Sequence, residues 1–250
     1  MKDRRLEIMN NKVRKIPRPA GLIPQPESPA ANEGRSDFAN SPYFLAPDFF
    51  TMKSGGSLTI LTNYPTYQQT RFYSCGPAAA LTVLWYFGET SYNELDLIKR
   101  MGSRGTPNER GEGGTNTASI CKFFEEIGWN VRSTLSEGNR YGKTFPDTRA
   151  FRNFVISELR SGLPIITEGL CFGPHWRVII GYDTMGTETT ADDMVIFMDS
   201  DDVCDHCQDG YTVVSAEGFF HAWRDPGVLP PDQRIQQYII VSPPWWKKAE

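Results

Sequence analysis

The candidate elements of this chain change character at Gly162, and that change limits the folds open to it. Before Gly162, apolar residues recur at helical spacing: Ala79, Val83 and Phe87, then Ile120, Phe123, Phe124 and Ile127, then Phe151, Phe154, Val155 and Leu159. After it come short, β-branched runs at Pro164–Thr167, Trp176–Gly181, Met194–Met198, Tyr211–Val214 and Gln237–Val241, with one short helix expected over Ser215–Trp223. Helices grouped first and strands grouped later, without strand–helix alternation, predict an α+β domain of two lobes.

Local signals place the ends of these elements. Pro77 suits the first turn of a helix starting at Cys75, where its missing N–H is not needed. Ser91-Tyr-Asn-Glu94 reads as a capping box for a second helix through Leu95 and Ile98 that stops at Gly102. A Gly-rich loop follows from Arg104 to Thr117, a strand is expected over Trp129–Leu135, and Asp147 caps the helix that Gly162 ends. Leu58–Thr62 alternates like a short strand, so the folded domain is expected over residues 57–244. Residues 1–56 form an extended or disordered arm rich in Pro, Asn and Ser, and 245–250 a tail.

With 39% apolar and 12% aromatic residues in a chain of 250, a sizeable core can be buried. A net charge of −4 carries no electrostatic footprint for nucleic acid. The longest apolar run, Pro77 to Phe87, is about half of what spans a bilayer, so no transmembrane segment is expected. No signal-peptide core follows the charged N-terminus. Five irregularly spaced cysteines suit a reducing compartment better than a disulfide framework, and together these features point to the cytoplasm.

The chemistry concentrates at Cys75. A thiol attacks as its thiolate, which the partial positive charge of a helix N-terminus favours. Backbone N–H groups there can also hold a developing oxyanion, and Gly76 lets a substrate approach closely. Gln69, six residues earlier, can donate a second hydrogen bond to that oxyanion; Gln68 competes with it for the role. His175 opens the strand Trp176–Gly181, where an imidazole can be aimed at a thiol from the opposite lobe and act as base and then acid. Asp199 closes the next strand, so an antiparallel pair can set its carboxylate against that imidazole.

The Gln69-x5-Cys75-Gly-Pro-Ala-Ala segment, the His opening an apolar strand and the Asp closing the following one resemble the peptidases that remove double-glycine bacteriocin leader peptides, and their wider relatives. The resemblance runs from about Tyr64 to Val241. It implies a papain-like fold whose helical lobe carries the Cys and whose antiparallel β lobe carries His and Asp. It further implies a Cys-His-Asp triad of Cys75, His175 and Asp199, Gln69 as oxyanion donor, a peptide or protein substrate, and no cofactor or metal. That family usually has Asp-Pro after its last strand, whereas this chain has Asp199-Ser200-Asp201-Asp202, which leaves Asp201 as a second candidate for the third role. Phytochelatin synthase has a similar papain-like core and passes its acyl group to an amine; both reactions run through a thioester. A non-catalytic peptide-binding module on the same fold is the third reading.

Other features have plainer explanations. Cys204-Asp-His206-Cys207 lacks the second ligand pair that a tetrahedral zinc site needs. The acids Asp199, Asp201, Asp202, Asp205 and Asp209 do not follow calcium-loop spacing and read as a solvated loop. His221 reads as a helix residue among aromatics, and Trp245-Trp246 either packs on the body or belongs to a tail. Gly55-Gly56 reads as a linker, with a self-cleaved junction as the sharper alternative.

Overall fold

In the computed structural model, which describes residues 21–26, 28–31, 47–137, 144–171, 173–203 and 208–247, the strand-rich half builds one antiparallel sheet. It also draws in two strands from the helical half. The strands are β1 (Leu58–Ile60), β2 (Asn130–Ser133), β3 (Ile165–Leu170), β4 (Pro174–Asp183), β5 (Met194–Met198), β6 (Tyr211–Ser215) and β7 (Tyr238–Ser242). Their order is β2-β7-β3-β4-β5-β6, with β1 paired to the far end of β4. β4 is the longest, and Trp176 through Tyr182 along it are all buried, as expected of a central strand. A bulge between Ile179 and Gly181 shifts the register against β5. A Cβ at Gly181 would lie 3.0–3.1 Å from side-chain atoms of Ile196 and Ile60, so glycine lets β1 and β5 close on β4 there.

The helices are α1 (Cys75–Tyr86), α2 (Glu94–Met101), α3 (Thr117–Glu126), α4 (Thr134–Glu137), α5 (Thr148–Arg160) and α6 (Ala216–Ala222). α1 is buried on all sides from Cys75 to Leu84, and its small Ala78-Ala79-Ala80 run lets it pack against β4. α2, α3 and α5 are amphipathic and bury single stripes such as Phe151, Val155 and Leu159. α6 lies on β3 and β6. This is the α+β arrangement expected: a helical lobe headed by Cys75 and an antiparallel lobe carrying His175 and Asp199.

Several details differ from expectation. The cap of α2 is Asn93, whose side chain accepts from Asp96 N–H while Asp96 returns the bond; Ser91 lies outside the box. β2 ends at Ser133 because the Ser136 hydroxyl accepts from Ser133 N–H at 3.0 Å, turning the chain into the single turn α4. Phe49, which falls in the N-terminal arm by sequence, is 6% exposed and packs on Tyr211 with ring centroids 5.6 Å apart. Gln25 and Ala30 touch the domain too: Gln25 N–H donates to Thr70 O at 3.2 Å and Ala30 N–H to Gln69 O at 3.3 Å. Gly55 bridges to Leu58, so the Gly55-Gly56 pair forms the turn that starts β1.

Candidate active site

Cys75 is the first residue of α1, and the residue before it does not cap the helix with its side chain. The Ser74 hydroxyl instead sits between Arg71 O at 2.8 Å and the Glu94 carboxylate at 2.6 Å. The first backbone bond of the helix runs from Ala78 N–H to Ser74 O, and Pro77 has no N–H. Among the described residues, the N–H groups of Cys75 and Gly76 are therefore left for a ligand at the helix mouth. Position 76 has to be glycine on packing grounds: a Cβ would lie 2.8 Å from Thr115 Cβ.

The loop leading into Cys75 is held from below by one buried carboxylate. Glu94, fully buried at the start of α2, accepts from the Tyr67 hydroxyl at 2.8 Å, Thr70 N–H at 2.8 Å, the Thr70 hydroxyl and the Ser74 hydroxyl. Burial and the Glu94 charge push the Tyr67 phenol far above its usual pKa, so it acts as a donor. Gln69 lies within this loop and is 2% exposed. Its Nε2 donates to Arg71 O at 2.9 Å, the carbonyl that Ser74 also approaches, which brings the amide to the residue next to Cys75. Gln68 turns away, its Nε2 3.5 Å from Asp202 O.

From the other lobe comes His175, 7% exposed, near the start of β4 and cross-strand from Gly169. Its Nε2 is 2.7 Å from Asp199 Oδ1. The Cys75 thiol, after Asp199, is among the groups that raise the proton affinity of that ring. With Nε2 committed to the carboxylate, Nδ1 is the nitrogen left for the thiol. Burial disfavours the imidazolium, yet Asp199 and Cys75 outweigh it and raise the His175 pKa well above its usual value. Asp199 shows the reciprocal effect. Burial alone would raise its pKa, but His175, Arg177 and the Asp201 N–H hold it down to about 2.

The Asp199 carboxylate is fully engaged. Oδ1 also accepts from Asp201 N–H at 2.9 Å, Oδ2 lies 3.4 Å from the Thr212 hydroxyl, and Arg177 Nη1 is 3.9 Å away. The Arg177 guanidinium rests over the Phe197 ring at 4.1 Å. Asp201 supplies its backbone to the site, and it is Asp199 whose carboxylate reaches the imidazole. The structure thus joins His175 to Asp199 and sets Cys75 at the mouth of α1, with Gln69 on the loop that leads into it.

Several residues at this site carry no clear sequence signal. Glu94 looks like an ordinary acid in the first turn of a helix, and Ser200 like part of an acidic loop. Arg177 and Glu168 leave a faint trace as charged residues inside otherwise apolar strands. Glu168 is 1% exposed, and neither carboxyl oxygen has a partner among the described residues. Burial, then Asp225 and Cys75, raise its pKa well above its usual value.

Other candidates fall away from this centre. Burial pushes the Cys121 thiol up to about 11, and Cys171 is exposed. Cys204, Asp205, His206 and Cys207 lie outside the described residues. Among the described residues, no cluster of three His, Cys, Asp or Glu side chains could hold a metal, and no helix is long and apolar enough to cross a membrane. His221 packs edge-on against Phe220 with its side chain 67% exposed. The Gly-rich loop folds back through a bridge between Arg104 and Gly114 and borders a cavity of about 210 Å³, whose lining includes Asn108, Glu112 and Thr115.

Known proteins resemble this chain as follows. The model of the family described as Peptidase_C39 like family matches residues 61–225. Among solved structures, the peptidase domain of Streptococcus ComA, a bi-functional ABC transporter, is 17% identical. That match covers 72% of this chain and 98% of that domain, with a TM-score of 0.41. A double glycine motif protease from an AMS/PCAT transporter, solved with its leader peptide, is 15% identical over 72% of this chain and 91% of its own, at a TM-score of 0.39. The peptidase domain of Streptococcus mutans ComA is 14% identical over 70% and 97% of the two chains, at 0.32. No curated protein sequence matches the chain.

Proposed function

The chain belongs to the Peptidase_C39 like family through residues 61–225, and on that premise we propose that it is a cysteine peptidase that cleaves a peptide bond through a thioester acyl-enzyme. The observation that supports this reading is the His175–Asp199 pair, joined through Nε2 at 2.7 Å, on a ring whose proton affinity Asp199 and the Cys75 thiol both raise. A module that only bound peptides would need no such pair.

In this mechanism the Cys75 thiolate attacks the carbonyl carbon of the scissile bond, with the protonated His175 ring as its counter-charge. The carbonyl oxygen becomes an oxyanion, held by the N–H groups at the mouth of α1 and by the second Nε2 hydrogen of Gln69. Imidazolium then gives its proton to the departing amine as the C–N bond breaks, leaving the acyl group on sulfur and the ring neutral. A water loses its proton to His175 and attacks the thioester; the C–S bond breaks, releasing the carboxylic acid and restoring the thiolate–imidazolium pair. Asp199 keeps the ring oriented and stabilises its charged form throughout. A reducing compartment suits an activity that depends on a free thiol.

The test is digestion of a peptide library by the wild-type protein, the Cys75→Ala variant and the His175→Ala variant. Cleavage products should appear with the wild type alone. Equal products from Cys75→Ala would remove the proposal. Adding an amine acceptor separates hydrolysis from acyl transfer, because an amide product in place of the free acid would identify a transferase.

A further inference from the structure

Gln69 is held more firmly than an oxyanion donor on a loop would be by its own chain. Ser200 grips it twice: Gln69 N–H donates to Ser200 O at 3.1 Å, and the Ser200 hydroxyl donates to Gln69 Oε1 at 2.8 Å. The serine is fully buried, 131 residues away in sequence, and directly follows Asp199. An amide can flip end for end, and its two ends present opposite hydrogen-bonding character. Here the Arg71 carbonyl takes one Nε2 hydrogen while the Ser200 hydroxyl satisfies Oε1, so the flipped state would set oxygen against oxygen at Arg71. That leaves one Nε2 hydrogen unspent among the described residues.

We propose that Ser200 is a positioning residue for the oxyanion donor, fixing the Gln69 amide so that its free N–H faces the Cys75 thiol. The same corner of chain thereby sets two parts of the machinery at once. Asp199 orients the imidazole, and Ser200, one peptide bond on, orients the amide from the opposite lobe. This inference rests on the acyl-enzyme reading above, and it is open to a test that separates the two.

Iodoacetamide alkylates a thiolate by direct displacement and forms no oxyanion, whereas a p-nitrophenyl ester of N-acetylglycine acylates it through a tetrahedral oxyanion. The two rates at Cys75, measured across pH, read thiolate supply and oxyanion support separately. In the Ser200→Ala variant the acylation burst should slow by about 10- to 100-fold with the alkylation profile unchanged. Ser200→Thr, which keeps the hydroxyl, should restore the burst. Gln69→Ala should show the same selective loss, and the double variant Gln69→Ala/Ser200→Ala should be no slower than Gln69→Ala alone, since Ser200 then has no amide to position.

Acylation at the wild-type rate in Ser200→Ala would overturn the proposal, as would additive losses in the double variant. Alkylation and acylation falling together in both Ser200→Ala and Ser200→Thr would show a structural role only. If instead Cys75→Ala leaves the ester burst of the wild type intact, it is the acyl-enzyme reading that falls, whatever Ser200 does.

Discussion

Replacing Glu94 tests whether one buried carboxylate holds the loop that carries Gln69 and Cys75. Four donors converge on it, from Tyr67, Thr70 twice, and Ser74. In Glu94→Ala, the Ser74 hydroxyl can turn wholly to Arg71 O, and the Thr70 hydroxyl has some freedom to rotate. Thr70 N–H cannot reorient, and the Tyr67 hydroxyl belongs to a residue 2% exposed. Leaving two buried donors unpaired at about 1–3 kcal/mol each gives a loss of about 4 kcal/mol. Glu94→Gln keeps one oxygen for Thr70 N–H and offers its amide hydrogens to hydroxyl oxygens that can accept, so its loss should be about 1–2 kcal/mol. Urea unfolding reads both, through midpoints at constant slope. The acylation rate of Cys75 should fall further in Glu94→Ala than in Glu94→Gln. A Glu94→Ala protein within 1 kcal/mol of wild type, or one less affected than Glu94→Gln, would refute the reasoning.

Three more outcomes follow from the geometry. Asp199→Asn should lower kcat by about 100-fold or more, because the amide cannot stabilise the imidazolium, while Asp201→Asn, which keeps the backbone N–H that Asp199 uses, should stay within about 3-fold; steady-state kinetics on a peptide identified by the library decides. Because the Asp199 pKa is depressed from 3.8 to about 2, its contribution of about 2 kcal/mol is present above pH 4 and lost as pH falls toward 2. The raised His175 pKa works with the opposite sign, stabilising fully below about pH 6.5 and fading as pH rises through its folded value. Urea midpoints against pH should therefore show an acid limb that Asp199→Asn flattens, and parallel limbs would count against the pair. Gly76→Ala forces a Cβ to 2.8 Å from Thr115 Cβ and should cost about 1–3 kcal/mol, read as a thermal midpoint several degrees lower.

How much of this was legible beforehand depends on how local each cause is. The helix at Cys75 announced itself through Pro77 and the apolar run behind it, and His175 through its place at the head of a β-branched strand. Asp199 stood at a strand end, but the choice between it and Asp201 needed the register of β4 against β5, which brings the Asp199 carboxylate to the imidazole. β2 was visible as a strand, whereas its partner was not: Asn130 pairs with Ser242, a contact between the two halves of the chain that local periodicity cannot report. Glu94 and Ser200 were hidden for a related reason. An acid in the first turn of a helix and a serine in an acidic loop are ordinary locally, and their roles exist only once distant segments meet them. Phe49 lies outside any periodic run, so its burial against Tyr211 left no pattern to read.

The central claim is that Cys75 is an activated thiol, and competitive labelling tests it most directly. Cys75 is 8% exposed, Cys121 is buried with its pKa pushed up to about 11, and Cys171 is exposed. Access alone would make Cys171 the fastest of the three. With limiting iodoacetamide at pH 6, followed by peptide mapping, the account predicts that Cys75 is alkylated well ahead of Cys171, that Cys121 is spared, and that His175→Ala abolishes the preference. Labelling that follows exposure, with Cys171 first and Cys75 unaffected by the His175 change, would contradict it.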